Sequence, residues 1–305
     1  MKGNERIVGV KSTLSRQNLI NNILNHIPVL GDVLRRPLGA LGFIIVWVFS
    51  LVVIFAPIIA PYDPEALDIP HLFEGPSSTY LLGTDHLGRD ILSRLVFGSR
   101  IALVTALSSV GIALVLGLIL GLISGYGGST IDNIILVILD SIQAFPAVIL
   151  ALAILSLLGP SLLNVILVIG FTWSPGYARV VRAQVLSVKE NTYIEAERSI
   201  GASRKRIVLI HILPNILAPL VILVAMDIPI VIAFEAGLTF LGLGVPPPTP
   251  SWGAILSEGF NFIRMSPWSI AWASLTLMLT TLGFTLFGEA LRDVLDPRFS
   301  GLWRA

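Results

Sequence analysis

The sequence predicts an all-α polytopic membrane protein with six transmembrane helices and both termini in the cytoplasm. Hydrophobic residues make up 54% of the 305 positions and charged residues only 13%, about half of the ~25% found in an ordinary soluble domain. So little charge cannot cover the surface of a soluble globule, which argues against a soluble enzyme. The net charge of +1 offers no field for nucleic acid, and the lack of cysteine excludes disulfides and thiolate metal sites.

Six apolar segments approach the ~20 residues that a spanning helix needs. The uncharged stretch between Asp140 and Arg179 is too long for one span, and Gly159 and Pro160 divide it because glycine and proline interrupt helices. The predicted spans are residues 41–59, 101–126, 131–158, 162–178, 213–240 and 266–291.

The distribution of lysine and arginine predicts the orientation, because cytoplasmic loops are richer in both. With six spans, 16 of the 20 basic residues fall on one side: six before the first span, seven between the fourth and fifth, and three after the sixth. We therefore expect a multi-pass protein of the cell membrane with both termini in the cytoplasm. The first span also begins too late to be a cleaved secretory signal.

Three regions follow from this topology: a cytoplasmic tail of residues 1–38, a transmembrane domain of residues 39–300 and a C-terminal tail of residues 301–305. Apolar residues in the first tail recur near helical spacing, which leaves open a helix lying on the membrane or a partly disordered segment. The longest outer loop is residues 61–100, and its second half is amphipathic. Four of its apolar residues are expected on the outer membrane surface: Ile91, Leu92, Leu95 and Val96.

The chain has no motif for energy coupling of its own. A phosphate-binding loop needs a glycine-rich turn followed by Lys and Ser or Thr, and the dipeptide Gly-Lys does not occur. We therefore expect no ATP hydrolysis, no catalytic residue and no bound cofactor. The four histidines are scattered, so no metal site is expected either.

The cytoplasmic loop of residues 182–213 is the most informative part of the chain. Thr192 and Glu195 have the spacing of a capping box that starts a short helix, and Gly201 is expected to end that helix in a left-handed turn. Small residues around the turn let a partner approach closely, and the basic residues after it can pair with acids on that partner. The same sequence fits a solvated charged loop, and the residues alone leave both interpretations open.

The loop contains Glu195-Ala196-Glu197, then Gly201, then Ile212-Leu213-Pro214. This pattern resembles the Glu-Ala-Ala loop in the membrane subunits of binding-protein-dependent ABC importers. Two positions depart from the family pattern, because Glu197 replaces the second alanine and His211 replaces an isoleucine. Residues 82–94, 240–253 and 288–298 resemble the dipeptide, oligopeptide and nickel branch of these importers, and within it the C-type subunit.

The resemblance implies a permease subunit that carries di- or oligopeptides or related solutes and forms half of the translocation pathway. Its partners would be a second, homologous permease subunit, two cytoplasmic ATPases that bind ATP and Mg, an extracytoplasmic solute-binding protein and the lipid bilayer. The residues implied to dock on an ATPase are Glu195, Ala196, Glu197, Arg198, Gly201, Ala202, Arg204 and Lys205.

Three acidic residues fall inside predicted spans, where ionisable groups are costly and face protein or water. Asp227 and Glu235 flank Pro229, and they either lie near the pathway or its outer gate or satisfy backbone groups freed by the prolines. For Asp140, near Pro146, the structural role is favoured. A stand-alone ion-coupled transporter or channel would explain the spans and acids but not the cytoplasmic loop. An intramembrane protease would need the Asp140 and Asp227 pair, and no flanking motif supports it.

Overall fold

The structure is a computed structural model that describes residues 28–295, and the regular elements in that range are helical apart from an isolated β-bridge between Thr84 and Asp90. Most of the predicted tails, residues 1–27 and 296–305, lie outside the described residues. In chain order the helices are α1 (Pro28–Leu34), α2 (Pro37–Ile54), α3 (Ala56–Ile59), α4 (Ile91–Tyr126), α5 (Ser129–Gln143), α6 (Ala147–Leu158), α7 (Leu162–Lys189), α8 (Thr192–Ser199), α9 (Arg204–Phe240), α10 (Trp252–Asn261) and α11 (Trp268–Leu295).

By length and composition, four helices of the described range can cross a membrane: α2, α4, α9 and α11. The pair of α5 and α6 qualifies together but is bent by 85°, so a fifth span is present if the pair counts as one. The predicted fourth span, residues 162–178, is the first part of α7, whose second part carries Arg179, Arg182 and Lys189. The described residues thus give four or five apolar spans, whereas the sequence predicts six.

Helix α4 begins ten residues earlier than the predicted second span. The Asp90 side chain caps it by accepting a hydrogen bond from the Ser93 backbone N–H at 2.7 Å. Ile91, Leu95 and Val96 are buried inside the protein. The expectation that they lie on the outer membrane surface is therefore wrong, because they form the first turns of a helix of 36 residues, about 54 Å long.

The predicted third span is not one helix but two. Helix α5 ends at Gln143, and α6 begins directly after Pro146. Proline has no N–H to donate and disfavours the helical conformation of the residue before it, so the chain turns at this point. Pro146 is a signal for this break in the sequence. It was outweighed by the apolar run of residues 131–158, which indicated a single span.

Helices α4 and α7 pack closely through a row of glycines on α4. A Cβ atom on Gly117 would lie 2.3 Å from the Tyr177 Cβ, and one on Gly121 would lie 2.6 Å from the Ala178 carbonyl oxygen. Small residues spaced four apart let helix backbones approach in this way. Helix α4 therefore fixes the position of the middle of α7.

Helix α9 is continuous from Arg204, so Pro214 lies inside it rather than at its entrance. Residues Ile207–Ile212 are π-helical, and Pro219 and Pro229 lie farther along. Local π-helical turns and prolines both bend helices. The helix thereby joins the predicted cytoplasmic loop directly to an apolar segment long enough to span a membrane.

Candidate functional site

We define residues 190–206 as the coupling segment. Two buried side chains, one within the segment and one directly after it, hold it to the rest of the chain. Ile194 of α8 and Ile207 of α9 are both fully buried in the hydrophobic core. Asn191, rather than Thr192, precedes α8, and its side-chain amide donates to the Val188 carbonyl oxygen at 3.0 Å. The predicted capping box is therefore wrong, since no side chain caps the start of α8.

The end of α8 is formed as the sequence predicts. Gly201 has a φ of +85°, its N–H donates to the Arg198 carbonyl at 3.0 Å, and the Ala202 N–H donates to the Glu197 carbonyl at 3.0 Å. These two bonds form a Schellman motif, in which glycine takes the left-handed position without steric cost. A Cβ atom at Gly201 would meet no other atom within 4 Å, so the turn faces open space.

Most of the residues implied to dock on an ATPase are exposed. The exposed ones are Glu195, Ala196, Arg198, Gly201, Arg204 and Lys205, and the half-buried ones are Glu197 and Ala202. An apolar side chain, Ile200, is 79% exposed beside the turn. The exposed surface of the segment thus consists of a turn of small residues, one large apolar side chain and several charged side chains around them.

The two departures from the family pattern contact each other. The Glu197 Oε1 lies 3.5 Å from the His211 Nε2, although the two atoms do not have hydrogen-bond geometry. The tyrosine ring of Tyr193 lies beside His211, with the ring centroids 6.4 Å apart. The larger side chain of Glu197 therefore points toward α9 and the protein.

Two basic side chains, one at the end of α7 and one in the coupling segment, contact the end of α4. The Lys189 Nζ donates to the Gly125 carbonyl at 3.2 Å, and the Arg198 guanidinium lies 5.9 Å from the centre of the Tyr126 ring. A cavity of about 480 Å³ lies between these groups and Arg204. The segment is thereby in contact with the ends of α4 and α7.

The acidic residues predicted inside the membrane have three different surroundings. Asp140 is exposed on α5 and accepts from Arg179 of α7 at 2.5 Å. Glu235 is 1% exposed and accepts from the Thr239 hydroxyl of its own helix at 2.7 Å. Asp227 is half-buried and lines a cavity of about 660 Å³ at the bend between α5 and α6. The structure therefore does not bring the three together as one site.

A largely buried ionic cluster, which sequence analysis missed, ties the predicted outer loop to α10. In this outer cluster, Arg89 donates to Asp85 at 2.7 Å and to Glu258 at 2.9 Å. Arg94 donates to Glu258 at 2.5 Å and also to Asp85. His86 stacks on the Phe262 ring at 4.8 Å. Because Glu258 is 164 residues from Arg94 along the chain, no local signal reveals the cluster.

Ligand atoms of Asp85, His86 and Glu258 lie within 4.8 Å of one another, which is close enough to hold a metal ion. Both carboxylates, however, are already paired with Arg89 and Arg94. Two guanidinium groups balance the two carboxylates, so the cluster is an ion-pair network without spare negative charge.

Comparison with known proteins identifies the family. Residues 117–301 match the family described as the binding-protein-dependent transport system inner membrane component, and residues 32–76 match the N-terminal transmembrane domain of oligopeptide transport permease C. The di/tripeptide transport system permease protein DppC of Pseudomonas aeruginosa is 40% identical over 270 residues, which cover 87% of this chain and 88% of that protein. The glutathione transport system permease protein GsiD of Pectobacterium atrosepticum is 40% identical over 266 residues, with 87% and 88% covered.

A solved structure shares the fold. A chain of the MetNI methionine ABC transporter, in inward-facing conformations, superposes with a TM-score of 0.56 at 20% identity, over 67% of this chain and 97% of that chain. Sequence and fold agree, and the family consists of non-catalytic transmembrane subunits. The chain therefore belongs to the family of inner membrane components of binding-protein-dependent transport systems, as a non-catalytic permease subunit.

Proposed function

We propose that this chain is the C-type permease subunit of an ABC importer for di- or oligopeptides or related solutes. It forms half of the translocation pathway and transmits ATP-driven movements through its coupling segment. The observation that carries the proposal is the exposed left-handed turn at Gly201, which has open space where a side chain would stand and the exposed Ile200 beside it. The names of the relatives, which are permeases for dipeptides and for glutathione, support the cargo class.

The proposed topology has six spans: α2, α4, the α5 and α6 pair, α7, α9 and α11, with both termini in the cytoplasm of a cell-membrane protein. From Arg94 to Tyr126, α4 extends about 48 Å, which exceeds the ~30 Å hydrocarbon core of a bilayer. The outer cluster and the coupling segment contact opposite ends of this helix. This separation supports assigning them to opposite sides of the membrane.

The assembly that we propose contains a second, homologous permease subunit, two cytoplasmic ATPases and an extracytoplasmic solute-binding protein. ATP and Mg bind to the ATPases, and this chain binds neither. Arg198, Arg204 and Lys205 surround the turn and are exposed, so acidic side chains on an ATPase can pair with them. Each such exposed ion pair contributes only about 0.2–1 kcal/mol to the free energy of binding. We therefore propose that docking depends mainly on the shape of the surface around Gly201.

Asp227 is proposed to face the pathway, because it lines a cavity at the bend between α5 and α6. Glu235 is proposed to act at the outer gate, where its carboxylate and Thr239 join α9 to the segment after it through the Val245 N–H. Asp140 and Pro146 are assigned structural roles. Asp140 ties α5 to α7 through Arg179, and Pro146 separates α5 from α6.

The test uses Gly201→Leu and its matched control Gly159→Leu in the assembled transporter in proteoliposomes. Both glycines have a positive φ, of +85° and +82°, and neither would place a Cβ within 4 Å of another atom. Local strain is therefore similar, and only Gly201 lies in the coupling segment. We expect Gly201→Leu to reduce dipeptide uptake about tenfold or to release ATP hydrolysis from control by the binding protein. Gly159→Leu should keep both near the wild-type values.

Equal uptake by the Gly201→Leu variant and the wild-type transporter, with equal stimulation of ATP hydrolysis by the binding protein, would refute the coupling role. Immunodetection in the membrane fraction checks that both variants insert to the same extent. Loss of uptake in both variants would indicate that strain, and not docking, causes the defect.

A further inference from the structure

The cavity beside Asp227 lies at the middle depth of the membrane-spanning helices. Tyr177 is near the midpoint of α7. Gln143 ends α5 at the break of the bent pair, and Asp227 lies between Pro219 and Pro229 of α9. All three line one cavity of about 660 Å³. This volume is within the ~300–1,000 Å³ range of small-molecule sites.

The charge in this cavity is unbalanced. Asp227 is the one acidic side chain among the described residues that line it, and no lysine, arginine or histidine lines it. A carboxylate removed from bulk water needs an opposite charge or several hydrogen bonds. Asp140 has such a partner in Arg179, and Glu235 accepts one hydrogen bond from Thr239, whereas the Asp227 carboxylate has neither an ion pair nor a hydrogen bond within the described residues. Asp227 is therefore available to a cation that enters the cavity.

A second polar group in the cavity also lacks a partner. The Tyr177 side chain is 1% exposed, and its hydroxyl has no hydrogen-bond partner within the described residues. It lies near the Asp227 carboxylate, outside hydrogen-bond geometry. A buried hydroxyl without a partner is unfavourable. A ligand that bridges the carboxylate and the hydroxyl satisfies both groups together.

The donor pattern of such a ligand follows from the groups that face it. The Asp227 carboxylate only accepts hydrogen bonds and supplies the negative charge, and the Tyr177 hydroxyl and the Gln143 amide, which can also donate, each offer an accepting oxygen in the same cavity. An ammonium group has three donors and no acceptor. The lining near Gly176 is open, because a Cβ atom there would meet nothing within 4 Å, so an organic ammonium with its substituents has room.

We propose that this cavity is a binding site for the α-ammonium group of the transported peptide, with Asp227 as its counter-charge and Tyr177 and Gln143 as further acceptors. The inference rests on the proposed function and deepens it, because it names the part of the cargo that this subunit recognises. A monovalent inorganic cation has the same charge and is the competing occupant.

The first experiment measures the cavity's charge independently of transport. The chain has no cysteine, so Gly176→Cys introduces a single thiol into the cavity. In the assembled transporter, its rates of modification by a cationic and an anionic methanethiosulfonate are compared, each normalised to the exposed Ser129→Cys. We expect the cationic reagent to be favoured about tenfold, and Asp227→Asn to abolish the preference.

The second experiment identifies the occupant by protection of the same thiol. Millimolar alanyl-alanine should slow the modification of Gly176→Cys, whereas N-acetyl-alanyl-alanine should not, because acetylation removes the ammonium charge. Replacing sodium by choline should leave the rate unchanged. Equal protection by both peptides, protection by neither, or protection by sodium alone would overturn the proposal.

The third experiment connects the cavity to transport. Asp227→Asn should lower alanyl-alanine uptake about tenfold while the binding protein still stimulates ATP hydrolysis. Asp227→Glu should restore part of the uptake, and Asp140→Asn, which removes an acid outside the cavity, should keep it. Uptake by Asp227→Asn at the wild-type rate would refute the site. If the wild-type complex shows neither uptake nor stimulated hydrolysis, the proposed function fails, and the thiol measurements still test the charge of the cavity.

Discussion

The two ends of α4 are built in opposite ways. At the outer end, Arg94 and Asp85 are each 2% exposed and are joined to Glu258 in a closed ionic cluster. At the other end, the coupling segment exposes its charges and is attached through Ile194, Ile207 and a few polar contacts. The charges of one end are paired inside the subunit, and those of the other end face outward. The same helix thus connects a buried, paired end to an exposed one.

This difference agrees with the energetics of charge burial. Removing one member of a buried ion pair leaves an uncompensated charge, whereas exposed charges are screened by water. A permanent internal connection can therefore be strong at the outer end. The docking surface that we propose at the other end has to bind and release an ATPase in each cycle, which requires weak individual contacts and a fixed shape.

The largest effect is expected when the outer cluster is broken. Arg94→Ala leaves Asp85 and Glu258 short of a partner and should cost about 3–5 kcal/mol of stability. The midpoint of thermal unfolding of the purified transporter measures this loss. Arg35→Ala is the control, because Arg35 and Asp32 form an exposed pair that contributes well below about 1 kcal/mol. Equal midpoints for the two variants would contradict the contrast between the ends.

The second effect is local to the coupling segment. Gly201→Ala places a β-carbon in the left-handed conformation, which costs about 1–2 kcal/mol. Since a Cβ there meets no other atom, the cost should appear as local opening. Amide hydrogen exchange of residues 192–203 should accelerate about tenfold, while exchange at the outer cluster stays unchanged. Gly159→Ala should accelerate exchange near residue 159 and leave the coupling segment unaffected.

A smaller effect is expected at the start of α9. The Ser203 hydroxyl accepts from the Arg206 N–H at a long 3.4 Å, so Ser203→Ala should cost about 0.5 kcal/mol, at the low end for helix caps. Hydrogen exchange of residues 204–207 measures it. Ser203→Asp, which keeps an acceptor, should restore protection. A loss as large as that of Arg94→Ala would show that the coupling segment is not the weaker end.

The smallest effect concerns pH at the outer cluster. Burial lowers the pKa of His86, against the opposing influence of Glu258 and Asp85, and Arg89 and Arg94 lower it further. The unfolded chain then binds a proton more readily, so stability falls as the pH decreases below about 6.5. His86→Gln should remove this part of the acid sensitivity in unfolding midpoints measured between pH 5 and 8.

His71 provides a control of opposite sign. Its hydrogen bond with Asp68 raises the pKa of His71, so its contribution is present below about 6.5 and is lost as the pH rises through the raised pKa. His71→Gln should therefore increase the net acid sensitivity or leave it unchanged. Parallel responses of the two variants would contradict the assignment of His86.

Local patterns in the sequence predicted much of the fold. The apolar runs located α2, α4, α9 and α11, and Gly201 marked the end of α8. The bend at Pro146 was missed because the apolar residues on both sides of it indicated one continuous span. The early start of α4 was missed because the amphipathic pattern of its first turns indicated a segment on the membrane surface. High hydropathy indicates that a segment is removed from water. It does not show whether the segment contacts lipid or other parts of the protein.

The candidate site was predicted only where its residues are consecutive. The left-handed turn at Gly201 lies within one short stretch and was predicted, whereas the outer cluster and the cavity join distant segments. Asp227 stood out as a charge in an apolar run, but Tyr177 and Gln143 had no local signal and are brought to it by helix packing. Contacts between distant residues depend on packing geometry, which a single sequence does not display.

The 85° bend between α5 and α6 has an electrical consequence. With 15 and 12 residues, the two helices are about 22 and 18 Å long, and neither alone crosses the ~30 Å insulating layer. Non-helical backbone at this depth requires surrounding protein or water. Where water reaches the bend, the insulating layer is thinner than the full membrane, and the whole membrane voltage falls across the part that stays dry. A charged solute crosses that part in a stronger electric field.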